Sequence, residues 1–144
     1  MAKIVSINIS EVRGTQKHQI PWAHLIANWG IEGDAHAGHW HRQVSLLGAE
    51  SVSRMQEHLD FALKPGAFAE NILVEGMTVY TLPVGTRLRI GTAQAEVTQI
   101  GKECHSDCEI RKLAGDCVMP REGIFVKIIK SGDAAAGDTI EVIK

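Results

Sequence analysis

Three cysteines, Cys104, Cys108 and Cys117, crowd into one fourteen-residue window of a 144-residue chain. A secreted disulfide scaffold uses an even number spread along the sequence. An odd, clustered set points instead to thiol or metal chemistry in a reducing cytoplasmic setting. The window opens as Gln99-Ile100-Gly101-Lys102-Glu103-Cys104-His105-Ser106-Asp107-Cys108. A predicted strand ends at its glycine, which puts Cys104 on a loop at the rim of a sheet. The thiolate is both the nucleophile and the soft ligand, and cations lower the ordinary thiol value of ~8.5. Lys102 and His105 flank Cys104 and favour the thiolate, whereas Glu103 opposes it. Two other readings stand beside a reactive thiol. The cysteines can be small buried hydrophobes, or Cys104, His105, Cys108 and Cys117 can hold a structural zinc. The spacing lacks the paired Cys-x2-Cys knuckles of common zinc modules, and adjacent ligands at 104 and 105 fit awkwardly around one ion.

A second group of candidates lies in Gly33-Asp34-Ala35-His36-Ala37-Gly38-His39-Trp40-His41-Arg42. Imidazole is a common metal ligand, but beyond Asp34 no carboxylate or cysteine stands at a familiar ligand offset. These histidines read first as hydrogen-bonded surface or pocket groups, and His36 and Arg42 equally suit an anion. In Gly66-Ala67-Phe68-Ala69-Glu70-Asn71 a tight turn leads into a strand. Glu70 and Asn71 read there as buried groups bonded to loop backbone, or as groups facing a ligand. The loop from Gly115 to Gly123 carries Cys117 and Arg121, whose planar guanidinium suits a phosphate. No P-loop, dinucleotide fingerprint, zincin helix or nucleophile-elbow serine is present.

The elements that must position these groups are mostly strands. Val5, Ile7 and Ile9 recur at period two and predict a half-buried strand over Lys3 to Ile9. Gln43 to Leu47 is another short strand, while the Gly-, Trp- and His-rich stretch from Gly14 to Trp40 has little clean periodicity. Val52, Met55, Leu59 and Leu63 recur every three or four residues and predict one amphipathic helix over about residues 48–62. Lys64-Pro65-Gly66 stops it, because proline cannot continue the ladder. Asn71 to Val74, Arg87 to Ile90, Ala93 to Ile100, Ile124 to Ile129 and Thr139 to Ile143 are short apolar or alternating runs punctuated by glycines. The fold class is therefore β-rich α+β, a compact barrel or sandwich in one domain over 1–144, with one main helix.

Composition narrows the function classes. Fifteen lysines and arginines against seventeen acids give a formal charge of −2, with 44% hydrophobic and 22% charged residues. A broad nucleic-acid surface would need a basic excess. No apolar run approaches the ~20 residues that span a bilayer, and the N-terminus has no signal-peptide pattern.

In order along the chain, several segments together resemble the MOSC domain, named for the C-terminal part of molybdenum cofactor sulfurases. They are Gly33-Asp34-x-His36, Arg42-Gln43-Val44-x-Leu46-Leu47, the helix, Gly66-x-Phe68-x-Glu70-Asn71, Pro83-Val84-Gly85-Thr86-x-Leu88-x-Ile90-Gly91, Gln99-x4-Cys104, Gly123-Ile124-Phe125-Val126-Lys127 and Gly137-Asp138. The resemblance implies a single β-barrel-like domain whose signature cysteine is Cys104. That cysteine would carry sulfur as a persulfide or ligate the molybdenum of a molybdopterin cofactor, a sulfurtransferase-like role. Arg42, Lys102 and Arg121 would supply anion contacts, His36 and Asn71 would line the pocket, and Cys108 and Cys117 would resolve a Cys104 persulfide or disulfide. The chain has no pyridoxal-phosphate domain, so a separate cysteine desulfurase would donate the sulfur and a molybdoenzyme would accept it. A non-catalytic module that only holds the cofactor is the alternative from a different class.

Overall fold

The computed structural model describes residues 2–12, 17–57, 62–63, 65–66, 68–101 and 122–143. An eight-stranded sheet is built from β1 (Lys3–Ile9), β2 (His18–Ile20), β5 (Val44–Gly48), β6 (Ile72–Glu75), β7 (Arg87–Ile90), β8 (Ala93–Ile100), β9 (Ile124–Lys130) and β11 (Ile140–Ile143). Its order is β11-β7-β8-β9-β5-β6-β1-β2. A second sheet joins β3 (Trp22–Ile26), β4 (Gly30–Ile31) and β10 (Gly132–Ala135) in the order β10-β3-β4. Among the described residues every strand pairing is antiparallel except β5 with β6. That parallel pair is linked through the helix α1 (Ala49–Gln56), because parallel neighbours need a crossover connection.

The β-rich class and the single helix of the sequence reading hold among the described residues. A closed barrel is not found there. The eight-stranded sheet runs from β11 to β2, and one isolated bridge, Lys3 with Thr139, touches its far parts. The helix is also shorter than its apolar periodicity predicts. α1 ends at Gln56, where the Glu57 N–H closes back on Ser53, and the Gln56 side chain accepts from the Leu63 N–H at 2.7 Å. That contact ties Leu63 to the end of α1, and residues 58–61 of the predicted helix lie outside the described residues.

β5 is the central strand and is buried along its whole length. Val44 and Leu46 face the main core, with Ile4, Ile7, Ile72, Val97 and Val126 among its members. Leu47 points the other way and joins Met55, Phe68, Leu73 and Phe125 under the helix. The period-two pattern of β1 shifts at a bulge between Ile4 and Ser6. A bulge inserts one residue and changes the phase of the side chains. Ile4 and Ile7 thereby reach the core, Val5 turns out to 36% exposure, and Ser6, Asn8 and Ser10 are buried. The polar face of β1, expected in solvent, is thus an interior face.

Candidate functional site

That polar face begins a row of side chains across the sheet. Asn8 donates its backbone N–H to the Asn71 carbonyl at 2.7 Å, and the Ser45 N–H donates to Asn71 Oδ1 at 2.9 Å. Ser45 is in register with Phe125, and Phe125 with Gln99. In-register neighbours share a face of a sheet, so the row Asn8, Asn71, Ser45, Phe125, Gln99 runs from β1 past the residue that precedes β6 to β5, β9 and β8. Asn71 is the brace of this row. Its Nδ2 donates to the Asn8 carbonyl at 3.0 Å, its Oδ1 also accepts from Ser45 Oγ at 3.2 Å, and its N–H donates back to Ser45 Oγ at 2.9 Å.

At the β8 end stands Arg42. Its Nε donates to Gln99 Oε1 at 3.0 Å, and its guanidinium lies over the Phe125 ring at 5.4 Å. Gln99 also meets His41 Nε2 at 2.9 Å through the same oxygen and donates its Nε2 to the Gly101 carbonyl at 2.7 Å. Gly101 in turn donates to the Gly123 carbonyl at 2.6 Å. The cysteine window therefore leaves and rejoins the sheet at one backbone hydrogen bond, with Arg42 one side chain away. Among the described residues no carboxylate forms an ion pair with Arg42. Just past the window, Glu122 accepts from Ser51 Oγ at 2.6 Å and pairs with Arg54, which ties the rejoining chain to α1.

At the β1 end lies a buried ionic cluster. Lys17 Nζ donates to Asp34 Oδ1 at 2.7 Å and to Ser10 Oγ at 3.2 Å, and it stands 3.1 Å from His36 Nδ1. The Lys17 and Asp34 side chains are both 0% exposed, and that of His36 is 21% exposed. Asp34 also accepts from the Ser10 N–H at 3.1 Å and the His36 N–H at 3.2 Å. The Lys17 N–H donates to the Gly66 carbonyl at 3.0 Å. Gly66 opens the turn that places Glu70, whose carboxylate accepts from the Gly66 N–H at 2.9 Å and the Phe68 N–H at 3.1 Å.

Burial pushes the Glu70 carboxyl above its ordinary value, while the N–H groups of Gly66 and Phe68 and the Lys17 charge pull it back. A raised folded value stabilises the protein fully below the ordinary ~4.3 and is lost as pH rises through the folded value. Wild type should therefore lose stability relative to Glu70→Gln as pH rises from about 4. Urea midpoints of both proteins at several pH values check this. A difference that is flat or grows with pH would contradict it.

Of the residues singled out in the sequence, the structure describes His36, Arg42 and Asn71. His36 belongs to the β1 end, Arg42 to the β8 end, and Asn71 to the row between them. Lys102, Cys104, His105, Cys108, Cys117 and Arg121 lie outside the described residues. His36, His39 and His41 do not converge. His39 Nδ1 meets the Asn28 carbonyl at 2.8 Å, while His36 and His41 turn to Lys17 and Gln99. Among the described residues no three histidines, cysteines or acids gather as a metal group. Sequence reasoning missed Lys17 and the Ser6, Asn8, Ser10 face. The available signal was that the polar residues alternating with Val5, Ile7 and Ile9 are small and uncharged, which suits an interior better than a solvated face.

The fold and this arrangement of motif residues define the class. The family model of the MOSC domain matches residues 33–141, and the chain belongs to the MOSC domain family. No curated protein matches the chain. Its fold is similar to that of the YuaD protein from Bacillus subtilis, with 20% identity, a TM-score of 0.80 and coverage of 98% of this chain and 94% of that one. YiiM from Geobacillus stearothermophilus gives 18% identity, a TM-score of 0.75 and coverage of 100% and 76%. YiiM from Escherichia coli gives 19%, 0.69, 99% and 70%. At these identities the likeness is one of fold. Among the described residues no helix is long and apolar enough to cross a membrane.

Proposed function

We propose that this chain, folded as one barrel-like domain, handles sulfur or molybdenum cofactor in the cytoplasm, with Cys104 as its working thiol. The observation that carries the reading is the Arg42 guanidinium, held by Gln99 at the base of the cysteine window with no carboxylate paired to it among the described residues. A cation so placed favours a thiolate and an anionic ligand over neutral ones. The Lys3–Thr139 bridge supports the barrel-like curl.

In the sulfur-carrier form, the Cys104 thiolate attacks the terminal sulfane sulfur of a persulfide on a cysteine desulfurase. The donor S–S bond breaks, the donor leaves as a thiolate, and Cys104 keeps one added sulfur. No oxidant or reductant is consumed. A thiolate on the acceptor, a molybdoenzyme by this reading, then attacks that outer sulfur, the S–S bond breaks, and Cys104 leaves as a thiolate. A Cys108 or Cys117 thiolate would resolve the persulfide by attacking Cys104 Sγ, forming a disulfide and releasing the outer sulfur as hydrosulfide, and Lys102 and Arg121 add positive charge.

The donor set also fits molybdenum cofactor, an anionic and oxygen-rich group. The Arg42 fork suits its phosphate, with His36 at the other end of the row and Cys104 as the implied metal ligand. When bound, the group would supply a redox and oxo-transfer centre. The chain's own residues bind it, orient it and neutralise its charge. The second reading, a module that holds the finished cofactor without turnover, is favoured by the same Arg42.

Intact-mass measurement after incubation with a cysteine desulfurase and free cysteine tests the carrier. The expected result is a gain of one sulfur that maps to Cys104 and is absent from Cys104→Ala, with the thermal midpoint unchanged. Sulfur loading that persists in Cys104→Ala overturns it. Molybdenum or pterin retained without sulfur loading, and weakened in Arg42→Met, favours the holding module.

A further inference from the structure

The Lys17 ammonium stands 3.1 Å from His36 Nδ1. An ammonium has donors and no lone pair, so the ring nitrogen facing it must be the unprotonated one. The opposite arrangement, a neutral amine accepting from Nδ1–H, is disfavoured because the same Nζ is 2.7 Å from the Asp34 carboxylate and 3.2 Å from Ser10 Oγ. We propose that Lys17 is a positioning residue that holds His36 as the neutral Nε2–H tautomer and so makes the His36 end of the site a donor to oxyanions.

The charged groups around the ring support this direction. Asp34 Oδ2 lies 3.9 Å from His36 Nδ1 and would favour a charged imidazolium. Lys17 is nearer, and protonating Nδ1 would set two cationic donors against each other at hydrogen-bond distance. Asp34 is already engaged by Lys17, by the Ser10 N–H and by the His36 N–H. Glu70, on the turn from Gly66, also interacts electrostatically with Lys17. The His36 main chain is held as well, since Trp40 Nε1 donates to the His36 carbonyl at 2.8 Å.

The tautomer decides the chemistry the ring can do. With Nδ1 given to Lys17, His36 has a proton on Nε2, across the ring, and a positive charge behind it. Such a group meets an acceptor atom and prefers an anionic one. The ligand class is an oxyanion: phosphate, carboxylate and oxometalate oxygens share the required chemistry. A divalent cation would have to displace either the Nε2 proton or the buried ammonium. The inference concerns which atom holds the proton, and it stands whatever group Nε2 meets in the ligand-free protein. It rests on the proposed site only in placing the oxyanion there. A protein that never loads sulfur yet has this tautomer would overturn the carrier alone.

The test is a long-range 1H–15N spectrum of the full chain labelled with 15N-histidine at pH 7.5, with His36 assigned by its absence in His36→Gln. The expected pattern is a neutral ring with the proton fixed on Nε2. Inorganic phosphate or molybdate should move its Nε2 signal, whereas zinc at equal concentration should not. Acetate should move it too if a carboxylate oxygen suffices, and a response to phosphate and molybdate alone would narrow the class to tetrahedral oxyanions. A proton on Nδ1, a ring averaging between tautomers, a charged ring, or no response to any oxyanion overturns the proposal. Lys17→Met should release the tautomer to averaging and weaken phosphate binding at least tenfold. Because that variant can fail to fold, the wild-type spectrum is the deciding measurement. Ser10→Ala, which removes a different Lys17 contact, should leave the tautomer fixed.

Discussion

Lys17→Met should cost about 3–5 kcal/mol of folding stability, far beyond what a surface ion pair contributes. The side chains of Lys17 and Asp34 are both 0% exposed, so removing the ammonium leaves a carboxylate buried without its counter-charge. The ~0–1 kcal/mol typical of exposed pairs does not apply, because no water is available to take over. Against a whole-domain stability of ~5–15 kcal/mol, the loss should lower the thermal midpoint by roughly 10–20 °C. Lys17→Met combined with Asp34→Leu should recover part of it, since the buried charge is then gone as well. Recovery should be incomplete, because Asp34 also accepts from the Ser10 and His36 N–H groups. Calorimetry of the single and double variants checks both statements. A single variant within 1 kcal/mol of wild type would mean that the pair is hydrated in solution.

A fully buried ion pair is a poor way to gain stability, since well-packed apolar residues often do as well or better. Its presence beside His36 and Glu70 is better accounted for by what it does to the His36 ring. Lys17→Met thus has two separable consequences. The loss of stability follows from desolvation, and the loss of a fixed tautomer follows from the ring's lost partner.

Gly66→Ala should be nearly as damaging, for a reason of backbone geometry. Gly66 has φ +86°, in the left-handed region, where a Cβ costs ~1–2 kcal/mol. An added Cβ would also run into the Lys17 carbonyl and its carbon. The chain must then move apart, which breaks the Lys17 N–H bond to the Gly66 carbonyl and disturbs the Gly66 N–H bond to Glu70. Adding ~1 kcal/mol for each lost hydrogen bond brings the cost to about 3 kcal/mol before any repacking. The urea midpoint should fall by ~1 M or more. His36 should also respond, because Lys17 is displaced with its backbone. A midpoint shift below ~0.3 M would show that the turn relaxes without disturbing Lys17. By contrast, Gly85→Ala, also at positive φ but with open space around its Cβ, should cost only the backbone strain.

The sequence by itself determined the strands whose apolar residues alternate over several positions. Lys3–Ile9, Arg87–Ile90 and Ala93–Ile100 form where the periodicity places them, and the runs at 71–74, 124–129 and 139–143 lie within a residue of β6, β9 and β11. The ordered motifs likewise determined the family. Strand-forming alternation is a local property that a local pattern can report, although in β1 the bulge turns Val5 out and Ser6 and Asn8 in. His18–Ile20, Gly30–Ile31 and Gly132–Ala135 carry no such pattern. They are short, polar or glycine-containing, and they are strands only because partners from distant parts of the chain pair with them, as β10 does with β3.

The site divides in the same way. Residue type alone marked His36, Arg42 and Asn71, since those side chains announce their chemistry. Tertiary structure decided how they are used: that Asn71 ties β1 to β5, that Gln99 aims Arg42 at the base of the cysteine window, and that Lys17 lies buried beneath His36. Nothing within a few residues of Lys17 could reveal this. Its partners sit 7, 17 and 19 positions away, and a charge is stable in an interior only when such distant groups are brought around it.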